Sequence, residues 1–197
     1  MNMANVCNSD FKVRGDRQAV SDLWERLQTM EVNSKSVWLC DLAAAYGIDY
    51  KAKGISVRGQ IYWADFEEDI ETGNCLLSFS TESAWCACTE FFDEVNEVYD
   101  DTLSISYREI ECGCEVYCVH DEWDFFPEEC CVSADGEPFD NIYGEPFDTI
   151  AEAIVLWTSL TGVARGNRTE EEMVELINGY DYGEDDTYFY IHPFTFV

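Results

Sequence analysis

Between Gly59 and Val197 the chain carries 34 acidic residues and only three bases, Arg108, Arg165 and Arg168. No division of such a stretch into core and surface can pair its charges internally. The fold must therefore spread carboxylates over its exterior and withstand their mutual repulsion. The first 58 residues differ, with eight bases (Lys12, Arg14, Arg17, Arg26, Lys35, Lys51, Lys53, Arg58) against seven acids. Their net is +1 against −31 for the remainder, a division that predicts an electrically two-sided molecule. A folded chain of this mass exposes roughly 9,500 Å², so about one uncompensated negative charge falls on every 300 Å² of it. Such a field excludes direct binding to nucleic acid or to an anionic membrane and selects cationic partners. The simpler alternative is acidity that serves solubility alone.

The acidity is not that of a disordered tail, because 47% of the residues are apolar and 15% aromatic. That supplies one full core, or a core with an appended subdomain. The stretch GYDYGEDDTYFY (Gly179–Tyr190) shows both demands together: Tyr188 and Tyr190, with Phe194 beyond them, are expected to dock a terminal strand, while Asp181, Glu184, Asp185 and Asp186 stay in water. The opening MNMANVCNSDF has no apolar signal-peptide region, and the best apolar run, IAEAIVLWTSL, is short and contains Glu152. A soluble, cytoplasmic protein is expected, monomer or dimer, with its ten cysteines reduced.

Alternation towards Phe11 and Val13 predicts a strand over Asn5–Arg14. Asp16 then caps a helix whose Val20, Leu23, Trp24 and Leu27 share one face. A short helix is expected over Val37–Tyr46, closed by Gly47. Strands follow at Ile55–Phe66 and Asn74–Thr81, then a helix over Trp85–Tyr99 with Phe91, Phe92, Val95 and Val98 on one side. Leu103–Glu111 and Cys114–His120 read as a hairpin about Gly113. This order predicts an α+β fold of the ferredoxin-like, split-βαβ kind for residues 1–125, with residues 126–197 forming an acidic α/β extension. In the extension GEPFD occurs at Gly136 and again at Gly144, implying a proline-bearing hairpin or loop pair. A helix from Asp148 to Thr161, a second one capped by Thr169 and Glu172, and a terminal strand complete it.

The segments ANVCNSDFKVRG, LSFSTESAW, EFFDEV and LSISYREI resemble the YubB-like ferredoxin-like-domain proteins of plasmids and phages. The match is carried by Ala4, Asn5, Cys7, Val13 and Gly15, by Ser78, Phe79 and Trp85, and by Tyr107 and Glu109, over residues 4–125. Departures are Val6 where the family has an aromatic, two extra residues before Trp85, and Cys86–Cys88 where a proline-rich helix start is usual. The resemblance implies a fold and a mobile-element setting, and it brings no catalytic residues with it.

ECGCEVYCVH places Cys114, Val116, Cys118 and His120 on one strand face, with Cys112, Cys130 and Cys131 nearby. The spacing C-x-C-x3-C-x-H lacks the C-x2-C knuckle of a structural zinc site, and a stripe containing a valine reads as core. Cys86-x-Cys88 is likewise no redox motif. The loops DFEEDIETGN and DYGEDD lack the ligand spacing of an EF-hand. Only His120 and His192 are available to activate a nucleophile, and no phosphate loop or hydrolase motif occurs. The expectation is therefore a non-enzymatic protein with no metal and no cofactor.

What remains is a surface that imitates nucleic acid, since duplex DNA presents one negative charge per roughly 1.7 Å of axis and its binders answer with Lys and Arg. The candidate partner-binding residues are Glu67, Glu68, Asp69 and Glu71; Asp121, Glu122, Asp124, Glu128 and Glu129; Glu170, Glu171 and Glu172; and Asp181, Glu184, Asp185 and Asp186. Trp123, Phe125, Tyr180, Tyr182 and Tyr188 lie beside them, where they are expected to stack on a partner's guanidinium groups. The expected partner is the basic DNA-binding groove of a host protein, of the restriction or CRISPR type. A protein-interaction module without mimicry is the alternative.

Overall fold

The computed structural model describes residues 5–31, 36–69, 72–139, 141–184 and 186–197. They form a mixed α+β protein with six helices and two sheets, 31% helix and 36% strand. The chain divides into two compact units, one comprising residues 1–125 together with Val197 and the other residues 126–196.

In the first unit β1 (Val6–Gly15) leads into α1 (Arg17–Glu31), whose start is capped by Asp16 Oδ1 accepting from the Ala19 N–H at 3.0 Å. Then come β2 (Val37–Trp38), α2 (Leu39–Tyr46), α3 (Tyr50–Lys53), β3 (Gly59–Glu68), β4 (Cys75–Ala84), α4 (Thr89–Val98), β5 (Leu103–Glu111) and β6 (Val116–His120). The strands pair antiparallel in the order β6-β5-β1-β4-β3-β2. One sheet face carries Phe11 opposite Phe79 and Tyr107, with Phe11 stacked on Phe79 at 4.8 Å and tilted against Phe92 of α4 at 4.6 Å. Val20, Leu23 and Leu27 of α1, Leu39 and Leu42 of α2, and Phe91 and Val95 of α4 complete this core. Gly15 closes β1 at φ +138°, and a Cβ there would collide with the Thr102 carbonyl, so glycine is required where β1 turns into α1.

A hydrogen-bonded chain ties three helices together above that core. Tyr46 at the end of α2 donates to the Tyr99 hydroxyl (2.6 Å), and Tyr99 donates to Asp22 Oδ2 of α1 (2.6 Å). Asp22 also accepts from Arg26 Nε at 2.7 Å, and the Arg26 guanidinium lies 4.7 Å from the Tyr46 ring centroid. Burial and the bond to Asp22 push the Tyr99 phenol up to about 12, and burial raises Tyr46 further. The Tyr99 and Arg26 bonds hold Asp22 below the usual carboxylate range. Its folded value is depressed, so its contribution is present above the unfolded pKa and is lost as pH falls through the carboxylate range. Tyr99→Phe leaves the half-buried Tyr46 hydroxyl without its acceptor and is expected to cost about 1–3 kcal/mol at pH 7. Urea titrations of the two proteins should show that gap narrowing below pH 4; a gap independent of pH would remove Asp22 from the account.

In the second unit β7 (Cys130–Asp135) is the centre of a three-stranded antiparallel sheet, flanked by β8 (Ile142–Phe147) and, after α5 (Ile150–Thr161) and α6 (Glu170–Asn178), by β9 (Tyr188–Pro193). Val132, Ala134, Ile154, Trp157, Met173, Ile177, Phe189 and Ile191 form its core. Thr149 caps α5, and the expected Thr169/Glu172 capping box closes the start of α6. Asn178 fixes β9 by accepting from the Ile191 N–H at 2.8 Å and donating to the Ile191 carbonyl at 2.9 Å. Of the two GEPFD copies the second lies in the edge strand β8, where Pro146 withholds no ladder bond from the centre, and the first lies in the connection before it. Asp140 of that first copy is outside the described residues.

Several expectations are corrected. Val37–Trp38 is a strand and only Leu39–Tyr46 is helical, because Val37 is buried opposite Ile61 in the sheet. The strand expected from Ile55 starts at Gly59, and the helix expected from Trp85 starts at Thr89. Trp85 and Cys88 hold positive φ in the connection, and Val98 is exposed. In β9 the buried residues are Phe189 and Ile191, whereas Tyr188 and Tyr190 face the other way; a frame shift of one residue exchanges the faces of a strand.

Candidate functional site

In the first unit, β1, β3 and β6 run parallel to one another, since each is antiparallel to the strand between. Their ends, at Gly15, Glu68 and His120, therefore share one end of the sheet. This topology puts Glu67, Glu68 and Asp69 at the same sheet end as Asp121, Glu122 and Asp124, with β4, β1 and β5 between the two clusters.

Most of these acids already have local tasks. Glu68 pairs with Arg17, while Asp69 accepts from the Thr72 hydroxyl at 2.7 Å and shapes the β3–β4 turn. Asp121 accepts from the Trp123 N–H at 2.9 Å, and Glu122 from the Ser104 hydroxyl at 3.5 Å. Glu67 and Asp124 are exposed, and Glu71 falls outside the described residues. Trp123 is not held ready for a partner: Arg14 of the same unit lies over its ring at 4.7 Å, and its Nε1 donates to Ser104.

In the second unit Glu128 and Glu129 precede β7, and Glu129 Oε2 accepts from the Ile150 N–H at the start of α5 (2.9 Å). Glu170, Glu171 and Glu172 occupy the first turn of α6, where the helix dipole favours negative charge, and Glu172 belongs to the capping box. Asp181 accepts from the Gly183 N–H at 2.8 Å, Glu184 and Asp186 are exposed, and Asp185 falls outside the described residues. Tyr180 and Tyr182, expected to meet a partner, make contacts within the unit, Tyr180 while staying exposed. Trp157 donates to the Tyr182 hydroxyl at 2.6 Å, and Tyr180 meets the Trp157 ring edge-on at 5.3 Å. Tyr188 stacks on Tyr190, and Phe125 is half-buried.

The bases do not segregate as their positions in the chain implied. Arg17 pairs with Glu68, and Lys53 with Glu94 and Glu97, so bases of the first 58 residues neutralise acids beyond them. Counted by unit, residues 1–125 hold nine bases and 25 acids (net −16), and residues 126–196 hold two bases and 16 acids (net −14). Both units are strongly acidic.

The cysteine stripe is also corrected. Cys112 and Cys114 lie exposed in the turn Cys112–Glu115, which is longer than a turn about Gly113 alone. Cys118 and His120 are half-buried, opposite Glu109 and Tyr107 on the face that carries Phe11. Among the described residues no group of three or more His, Cys, Asp or Glu side chains could hold a metal, and no helix is long and apolar enough to cross a membrane. None of the ten cysteines is in a disulfide. Burial pushes the Cys7 and Cys130 thiols up to about 12. Thiol reagent at pH 8 is expected to label the exposed Cys86 and Cys112 quickly, and Cys7 and Cys130 only upon unfolding. Peptide mapping after a short pulse checks this; Cys7 labelled as fast as Cys86 would contradict the packing of β1.

Sequence reasoning missed a convergence of its own motif residues. The half-buried Glu109 of β5 accepts from the Ala87 N–H at 2.9 Å and lies 3.9 Å from the Cys7 thiol, while the Asn5 carbonyl accepts from the Trp85 N–H at 3.1 Å. The segments about Asn5–Cys7, Trp85–Ala87 and Glu109 are thus locked to one another. The only signal in the sequence was the run of polar residues, Ser9, Thr81 and Ser83, at core positions. In comparison with known proteins, the chain matches no family model, no curated protein and no solved structure.

Proposed function

We propose that this chain is a non-enzymatic, DNA-mimicking inhibitor of a host DNA-binding or defence protein, of the restriction or CRISPR type, encoded on a mobile element. One observation carries the reading: each compact unit has a large acidic excess, −16 and −14, on a well-packed, aromatic-rich core. A rigid scaffold holds its carboxylates at fixed positions, which a basic groove built for phosphates can engage, whereas a disordered acidic chain loses conformational entropy on binding. In the first unit the clusters Glu67–Asp69 and Asp121–Asp124 share one end of the sheet, on either side of β1. The aromatic residues beside the clusters act in this reading as supports, since Trp123, Tyr180 and Tyr182 are occupied internally. The mechanism is occupation of a DNA channel by charge and bulk.

The order β5-β1-β4-β3, with α1 and α4 in the connections, supports a ferredoxin-like split-βαβ reading of the first unit. The YubB-like resemblance rests on residues 4–125 and supports the mobile-element setting. A cytoplasmic location in the host cell belongs to the same reading. The test is capture of the target from a host lysate, identified by mass spectrometry, followed by the same capture with excess duplex DNA. DNA is expected to displace the target. A target retained in the presence of saturating duplex would favour an interaction module without mimicry.

A further inference from the structure

Between α4 and the β5–β6 hairpin of the first unit lies a cavity of about 250 Å³, lined by Phe11, Phe92, Tyr107 and His120 and by Asp93 and Thr89 of α4. Its size is below the ~300 Å³ at which pockets for whole drug-sized ligands begin, and suits a side-chain-sized group. The rings form a continuous surface: Phe11 to Phe92 at 4.6 Å, Phe11 to Tyr107 at 5.8 Å, and Tyr107 to His120 at 5.4 Å with 25° between planes.

The one charged group that α4 brings to the cavity, the Asp93 carboxylate, suits a donor. Asp93 is exposed, makes no hydrogen bond or ion pair among the described residues, and has its carboxyl raised by burial and by the neighbouring Glu90 charge. His120 Nδ1 lies 2.9 Å from a main-chain oxygen of Val197, which only accepts, so Nδ1 donates. No Lys or Arg lines the cavity. An anion would meet Asp93 unfavourably, and an apolar ligand would leave its carboxylate without a donor. An aromatic floor with a free carboxylate beside it fits a cation, and a planar, weakly hydrated guanidinium stacks on rings better than an ammonium does.

We propose that this cavity binds a guanidinium group on a short alkyl stem, supplied by an arginine side chain of a partner or by a free small guanidine. None of the acidic clusters assigned to DNA mimicry lines it, so the proposal stands or falls separately from that reading.

The experiment is isothermal titration of the full chain, at ~0.15 M salt to screen unspecific attraction, with n-propylguanidine, N-acetyl-arginine methylamide and the uncharged citrulline analogue. Both guanidines are expected to bind with a dissociation constant of ~1 mM or tighter, and citrulline at least about tenfold more weakly. Asp93→Asn changes the net charge by one unit only, so a loss of about tenfold in that exposed-site variant locates the binding here. In the unmodified protein, ligand methylene protons should shift upfield and contact the Tyr107 and His120 rings. Tighter binding of the arginine amide assigns a polypeptide source, and tighter binding of propylguanidine assigns a free one. Equal binding of citrulline, unchanged binding by Asp93→Asn, or ligand contacts at other rings would overturn the proposal.

Discussion

Trp157→Ala is expected to unfold the second unit while leaving the first intact. Trp157 is fully buried in α5, its indole N–H donates to Tyr182, and its ring supports Tyr180. Removing a buried tryptophan from a close-packed core costs about 3–5 kcal/mol. The stranded Tyr182 hydroxyl adds to that, and a unit of this size has on the order of 5 kcal/mol in total. Hydrogen exchange reads the outcome by segment. Amides of β7, β9, α5 and α6 should lose protection, and those of β1, β4 and β5 should keep theirs. Trp157→Phe keeps an aromatic ring in the core but loses the N–H donor and part of the indole's volume, so it should be folded and less stable. Loss of protection in both units together, or a cost below about 1 kcal/mol, would contradict the assignment of Trp157 as the centre of a separate core.

Local rules of capping and alternation made much of the fold legible in the sequence. Asp16 before an apolar i, i+3, i+4, i+7 pattern, the Thr169/Glu172 box and the alternation of β1 each state one local rule, and the structure obeys them. The strand β7 was not visible because it is the centre of its sheet: Cys130 to Ala134 are all buried, and a strand covered on both faces has no alternation to detect. The face of β9 was misread because Tyr188 and Tyr190 are as aromatic as Phe189 and nothing local separates the two frames. At the acidic clusters, composition gave charge but no geometry. The acids Asp69, Asp121 and Asp181 each precede by two or three residues a backbone N–H they accept from, which marks them as turn formers; that local signal was present and outweighed by the net charge. The cavity at Asp93, Tyr107 and His120 needed the register of β5 against β6, which the length of the Cys112–Glu115 turn sets.

DNA mimicry requires that the complex respond to salt and charge as a DNA complex does. Each Lys or Arg the protein occupies on its target is one that duplex would have occupied, so the two ligands must compete. Single acid-to-neutral changes should cost little, about 0.2–1 kcal/mol for an exposed pair. Reversing Glu67, Glu68 and Glu71 together to Lys, with the turn-forming Asp69 left in place, alters the steering field, so association should slow by about tenfold or more before dissociation changes. Reversing Glu170, Glu171, Glu184 and Asp186 applies the same test to the second unit, leaving the capping Glu172 and the turn-forming Asp181 in place.

The most direct measurement is inhibition of the captured target's DNA binding, by the unmodified protein and by each reversed variant, between ~50 and ~200 mM salt. The account predicts competitive inhibition that weakens by at least about tenfold across that range, less steeply than for duplex because a protein lacks DNA's condensed counterions. It also predicts that at least one reversed variant loses inhibition at every salt concentration. A ternary complex of target, DNA and this protein, or inhibition indifferent to salt and to both reversals, would contradict it.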